Sequence, residues 1–258
     1  MTNTATPKKS DLPARVASAV VMVLVAGTAL WLGGWAWTGF VALVALGVLW
    51  EWAKLAFAIA AKGWARALWL VGGVVYIGVA AELLVSVRAY FINTTIFVVL
   101  TVVLVDIGAY FAGRLIGGPK IAPRISPSKT WAGLAGGALA AALAFGVWNY
   151  LERNSLACDT GAWHCVSMVG LAVESVLPGV IVAVIAQSGD FLESWMKRRA
   201  GVKDSGNLLP GHGGLFDRVD GLLAVCFVMQ ALAVMTTGHG AFDNVYEGHA
   251  VVAVKPNP

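Results

Sequence analysis

Seven stretches of the chain are nearly free of charge and dense in Leu, Val, Ala and aromatic residues: 16–33, 35–50, 67–87, 92–112, 131–150, 168–189 and 219–238. Most approach the about 20 residues that a helix needs to cross a hydrocarbon core. The pattern predicts an all-α fold, a polytopic membrane bundle of about seven helices within a range of six to nine. Segment 51–66 is ambiguous, because its apolar part, 55–61, is too short to span and is bracketed by Lys54 and Lys62. It reads as an interfacial helix or as an extension of the second span. No repeat, low-complexity tract or composition break marks a second domain. The expected organisation is a polar tail over 1–15, helices over 16–112, a connection over 113–130, a second helical region over 131–238 that contains the connection 190–218, and a tail over 239–258.

Composition narrows the class. Of 258 residues, 59% are hydrophobic and 12% charged, against roughly 25% charged in soluble domains. That excludes a soluble enzyme, and 11 Trp residues in so apolar a chain exclude disorder. The net charge of +4 would point to nucleic acid in a soluble protein; here its distribution matters more, and nucleic acid is not an expected partner. With the N-terminus in the cytoplasm, seven spans place 15 of the 18 Lys and Arg residues on the cytoplasmic side and leave Arg88, Arg153 and Lys255 opposite. One span more or fewer would scramble that partition. The run 16–32 ends in no small-residue cleavage site and reads as a retained helix.

Three cysteines form no scaffold and match no zinc spacing. Cys158 and Cys165, in the outer connection 151–166, are expected to pair on an oxidising side, two free thiols being the alternative. Cys226 reads as a packing residue.

Acids near hydrocarbon need a partner or a function, since a carboxylate at a helix centre is penalised by roughly 2.5–3.5 kcal/mol. Asp106 lies within the fourth window, Asp190 closes the sixth, and Asp217 and Asp220 open the seventh. All four approach one face of the bilayer. In a helix the last two share a side. Carboxylates without Cys or His suit a hard cation such as Mg²⁺, which binds through few carboxylates plus water and phosphate oxygens. Equally open is simple ion pairing with Lys197, Arg198 or Arg218. Loop 203–214 is rich in glycine and leads into the seventh helix, as an anion-binding loop or an ordinary turn would. Ser126, Ser128, Lys129 and Thr130 precede the fifth span, as phosphate ligands or as an anchor and helix cap.

Between 194 and 220 the residues become specific. Ser194, Met196, Lys197, Arg198, Lys203, Asp204, Gly206, Leu209, Pro210, His212, Gly213, Gly214, Leu215, Asp217, Arg218, Val219 and Asp220 fill every constrained position of a pattern that resembles the signature of the phosphatidate cytidylyltransferases, the CDP-diacylglycerol synthases. Segment 187–194 is similar to the family too, as is the run from Asp106, Ala109 and Tyr110 through Ser126, Pro127, Lys129 and Thr130. The resemblance covers roughly a quarter of the chain. Ser128 stands where the family often has Lys, and Phe191 and Phe216 where Leu is common. Family members commonly have eight or nine spans.

The resemblance implies a bilayer enzyme on which phosphatidate attacks the α-phosphorus of CTP, giving CDP-diacylglycerol and pyrophosphate. Because the nucleophile is already an anion, alignment and charge neutralisation matter more than a strong base. On this reading Asp190, Asp217 and Asp220 hold Mg²⁺, with a second cation left open. Lys197, Arg198, Lys203 and Arg218 neutralise phosphate charge, and Ser194 and Asp204 hydrogen-bond or orient. Ser126, Lys129, Thr130, Gly213 and Gly214 hold substrate. His212 either donates to the leaving pyrophosphate or braces the turn. CTP, phosphatidate and membrane lipids are the expected partners and a homodimer is left open. The expected location is a bacterial-type inner membrane with the site facing the cytoplasm. A CTP-dependent lipid kinase is the alternative and would release CDP. A cation or proton transporter would show midplane acids and repeats, and neither is present.

Overall fold

The computed structural model describes residues 12–160, 168–208 and 213–237. Among them seven helices alternate in direction: α1 (Leu12–Leu32), α2 (Gly34–Ile59), α3 (Gly63–Tyr90), α4 (Ile92–Leu115), α5 (Trp131–Thr160), α6 (Met168–Ala200) and α7 (Phe216–Thr237). Six are long and apolar enough to cross a membrane; the apolar part of α1, Ser18–Leu32, is shorter. Large apolar side chains such as Leu43, Leu68, Leu139, Val173 and Leu232 stand exposed on their outer faces. Lipid tails, not water, suit such faces, and helices with internally satisfied backbones are one of the few forms able to present them. The chain is an integral membrane protein.

Segment 51–59 is resolved as an extension of the second span, with Glu51, Trp52, Leu55 and Ala56 buried. The Trp52 indole donates to the Trp69 carbonyl (2.8 Å), tying α2 to α3. Packing centres on α6 and α7. One buried cluster joins them to α2 and α3 through Val48, Trp52, Leu83, Met196, Phe216 and Cys226. A second joins them to α4 and α5 through Val102, Val105, Ala141, Ala183, Ala186 and Val225. Where α4 crosses α5, a methyl group on Gly136 would collide with Ala112 and the Gly108 carbonyl. Small residues at such crossings let membrane helices approach closely. Cys226 is fully buried, as its packing role requires. At the opposite end, Arg88 of α3 donates to the carbonyls of Leu30 (2.6 Å) and Trp31 (3.2 Å), satisfying the last turn of α1.

Two connections differ from the hydropathy pattern. Within 113–130 the chain forms a small antiparallel hairpin, β1 (Lys120–Ala122) and β2 (Ser126–Thr130), added to the otherwise helical fold. Ala122 and Ser126 both precede proline, which disfavours helix and favours extended backbone. The hairpin closes onto α5, whose first turn is capped by Thr130 Oγ1 accepting from the Gly133 amide (3.0 Å). The second difference is larger. The sixth span does not end at 189 but continues to Ala200, so Asp190, Ser194, Lys197 and Arg198 are helical instead of lying in a loop. No breaker interrupts 190–200, and Met196 is fully buried there. Gly201, at φ +71°, then ends the helix, with the Val202 amide donating to the Lys197 carbonyl (3.0 Å). The segment after the fifth span likewise stays helical to Thr160. Cys165 lies outside the described residues, as does the side chain of Cys158, so their pairing does too.

Candidate active site

The site forms at the end of the bundle where α4 and α6 finish and α5 and α7 begin. α6 and α7 meet closely: a methyl group on Gly189 would strike the Asp220 carbonyl and Ala224. That approach sets Asp190 and Asp220 on facing helices. From the hairpin, the Lys129 ammonium reaches across to pair with Asp190. Asp106, Asp220 and Glu193 also act on this ammonium, holding its charge against the burial that pulls its pKa below the ordinary lysine range. Asp220 is buried, and its Oδ1 accepts from the Gly221 amide (2.9 Å).

A second ion-paired centre lies one to two turns further along α6. Lys197 donates to Asp217 Oδ1 (2.5 Å) and pairs with the buried Glu193 (2.6 Å). The other Asp217 oxygen, Oδ2, accepts from the Ser205 amide (3.1 Å), the Ser205 hydroxyl (3.0 Å) and the Gly214 amide (2.9 Å). Asp217 therefore closes the connection 201–215 onto the first turn of α7. Asp220 lies three residues after Asp217, about one turn along α7, where its backbone packs against Gly189 beside Asp190.

Beneath the connection sits Glu51, at 0% exposure. It accepts from the Phe216 amide (2.8 Å), the Leu215 amide (3.1 Å) and the Ser205 hydroxyl (2.9 Å). The single Ser205 proton is shared between Glu51 and Asp217. A carboxylate from α2 thus caps the N-terminus of α7, where unpaired amides and the helix dipole favour negative charge. Only glycine fits at 214, because a methyl group there would overlap the Ser205 hydroxyl and Glu51.

Of the other expected residues, Ser126 and Thr130 are buried on β2, and Ser194 lies half-buried in α6, one turn beyond Asp190. Arg198 is exposed and donates weakly to the Ile125 carbonyl (3.4 Å), linking α6 to the hairpin. Lys203 and Asp204 are exposed on the connection, with Gly213 beside Asp204. Arg218 is exposed on α7 and borders a separate apolar cavity of about 440 Å³ lined by α1, α2, α3, α4 and α7. His212 lies outside the described residues. Sequence reasoning missed Glu51, Glu193 and Ser205. The signal for Glu51 was present, an acid between Trp50 and Trp52 that needs a partner as much as the aspartates do.

Among the described residues no three acidic, His or Cys side chains converge as a preformed metal cage. The donor chemistry nevertheless fits a hard cation. Asp190 supplies oxygen to a cation already, the Lys129 ammonium, with Asp106 and Asp220 acting on the same charge. Mg²⁺ needs only one or two protein carboxylates when phosphate oxygens complete its shell. Asp217 is more committed, with four donors on its two oxygens.

The sequence is similar to those of known proteins. Residues 61–236 match the model of the cytidylyltransferase family. A phosphatidate cytidylyltransferase of Brucella suis biovar 1 (strain 1330) is 34% identical, over 85% of this chain and 92% of its own length. One from Rickettsia bellii (strain RML369-C) is 32% identical, over 84% and 88%. One from Haemophilus influenzae (strain ATCC 51907 / DSM 11121 / KW20 / Rd) reaches 40% over 50% of this chain and 41% of its own. With more than half its length matched by the family model, and relatives above 30% identity along most of it, the chain belongs to the cytidylyltransferase family.

Proposed function

We propose that the protein is a phosphatidate cytidylyltransferase of a bacterial-type inner membrane, working at its cytoplasmic face. The observation that carries this reading is the placement of two ion-paired centres, Lys129–Asp190 and Lys197–Asp217, along the same helix α6 at one end of a lipid-compatible bundle. Charge of both signs, sunk among helices whose outer faces suit lipid, answers the need of a reaction between a polyanionic nucleotide and an anionic lipid. Family membership and the named relatives support the same activity.

In the proposed reaction a phosphate oxygen of phosphatidate bonds to the α-phosphorus of CTP, the bond from that phosphorus to the bridging oxygen breaks, and pyrophosphate leaves. No proton need move. Lys129 and Lys197 would offset phosphate charge. Asp190, Asp217 and Asp220 would be the residues that hold Mg²⁺, with Asp217 the more committed to its protein donors. When bound, the cation supplies electrostatic stabilisation of the transferring phosphoryl oxygens. Arg198, Lys203 and Arg218 ring the site as exposed cations that draw in anions. Orientation rests on the 15-to-3 partition of Lys and Arg.

Purified protein in detergent, given CTP, Mg²⁺ and phosphatidate, is expected to release pyrophosphate only when the lipid is present. Release of CDP in place of pyrophosphate would make it a lipid kinase and overturn the proposal.

A further inference from the structure

A cavity of about 350 Å³ opens beside the Lys129–Asp190 pair, between α4, the hairpin, α5 and α6. Arg114, Lys120, Ser128 and Lys129 give it a basic, hydrogen-bonding wall, and Gln187 of α6 borders it as well. Gln187 is 3% exposed, yet neither its Nε2 nor its Oε1 has a hydrogen-bond partner among the described residues. A buried amide with both ends unpaired is costly, and it lowers in free energy when a ligand supplies an acceptor and a donor side by side. Phosphate oxygens offer acceptors only. The edge of a pyrimidine bearing an amino group beside a ring nitrogen offers both, in the plane an amide needs. Gln187 lies three residues before Asp190, about one helical turn, so a base there would leave its phosphates near the acidic and basic cluster.

We infer that Gln187 is a base-reading residue, its Oε1 accepting from the exocyclic amine and its Nε2 donating to the adjacent ring nitrogen of the cytosine of bound CTP. The inference rests on the proposed function for the identity of its nucleotide. The basic wall of the same cavity holds the sugar-phosphate part in place, and the absence of a preformed partner keeps the amide available until the base arrives.

The test is equilibrium binding of CTP and of its 4-deamino analogue, the 2-pyrimidinone ribonucleoside triphosphate, to the full-length protein in detergent with Mg²⁺ and no lipid. The wild type is expected to prefer CTP by about tenfold or more, since the analogue leaves the buried carbonyl unpaired. Gln187→Met, similar in volume and unable to pair, should bind both nucleotides alike. Gln187→Glu preserves shape and the acceptor but loses the donor, so it should weaken CTP binding and retain the preference, and it decides the matter if the Met variant does not fold. Equal affinities in the wild type, or the full preference surviving in Gln187→Met, would overturn the assignment. A wild type that shows the preference but forms no CDP-diacylglycerol would sink the proposed function and leave this subsite standing. Lipid synthesis with no preference would do the reverse.

Discussion

Glu51→Gln tests the reasoning about the buried framework most sharply, because it changes one atom at a position with three donors and no solvent. In the wild type Oε1 faces the Leu215 amide, and Oε2 faces both the Phe216 amide and the Ser205 hydroxyl. A glutamine must place its NH₂ against one backbone amide or the other, so at least one N–H loses its acceptor whichever way the side chain turns. A buried donor left unpaired costs about 1–3 kcal/mol, and the remaining bonds lose the strength that charge gave them. The expected destabilisation is about 2–4 kcal/mol. The effect should reach the site, since Ser205 also holds Asp217, and Asp217 holds Lys197. Thermal unfolding in detergent should show a midpoint lower by about 4 °C or more, and turnover should fall further than the folded fraction does. Unchanged midpoint and unchanged turnover would refute the view that Glu51 fastens the connection and the start of α7.

Other substitutions separate structural from chemical duties. Lys197→Met should destabilise the protein by about 3–5 kcal/mol by stranding Glu193, at 2% exposure, beside Asp217, as read by the same unfolding assay. Asp220→Asn should cut turnover by orders of magnitude with little loss of stability, because among the described residues the Gly221 amide alone hydrogen-bonds its carboxylate. Asp217→Asn should lose both, since its NH₂ must oppose either the Ser205 and Gly214 donors or the Lys197 ammonium, and the lost charge weakens the Lys197 pair either way; measuring midpoint and turnover on the two variants together checks the contrast. For orientation, a cysteine placed at Lys120 on the exposed hairpin should be protected from an impermeant thiol reagent in intact cells and react after lysis. Labelling of intact cells would reverse the topology.

The sequence made the bundle legible because spans need only length and hydropathy, and those are local. It made the acidic and basic residues legible because each is expensive near lipid and therefore visible one at a time. What it hid was which residues face one another. Hydropathy ends the sixth span at 189, yet polar residues on an interior face do not break a helix, and α6 runs on through Lys197 and Arg198 until Gly201. Glu51 acts on residues more than 150 positions away, so no spacing rule connects it to Ser205 or Phe216. The hairpin escaped for another reason: three- and five-residue strands carry too little periodicity to register, although the prolines that bend them were in view. Asp217 was legible as an acid at a helix start, but its bonds to the connection depend on a fold that brings Ser205 and Gly214 to it.

The most direct measurement of the central claim follows two labels through one reaction. Purified protein is given phosphatidate, Mg²⁺ and CTP carrying a radioactive phosphorus at either the α or the γ position, and lipid is then extracted. Transfer of the cytidylyl group puts the α label in the lipid phase as CDP-diacylglycerol and leaves the γ label in water as pyrophosphate, and Asp220→Asn cuts the lipid-phase α label by orders of magnitude. Recovery of the γ label in lipid, with the α label remaining in water, would contradict the account.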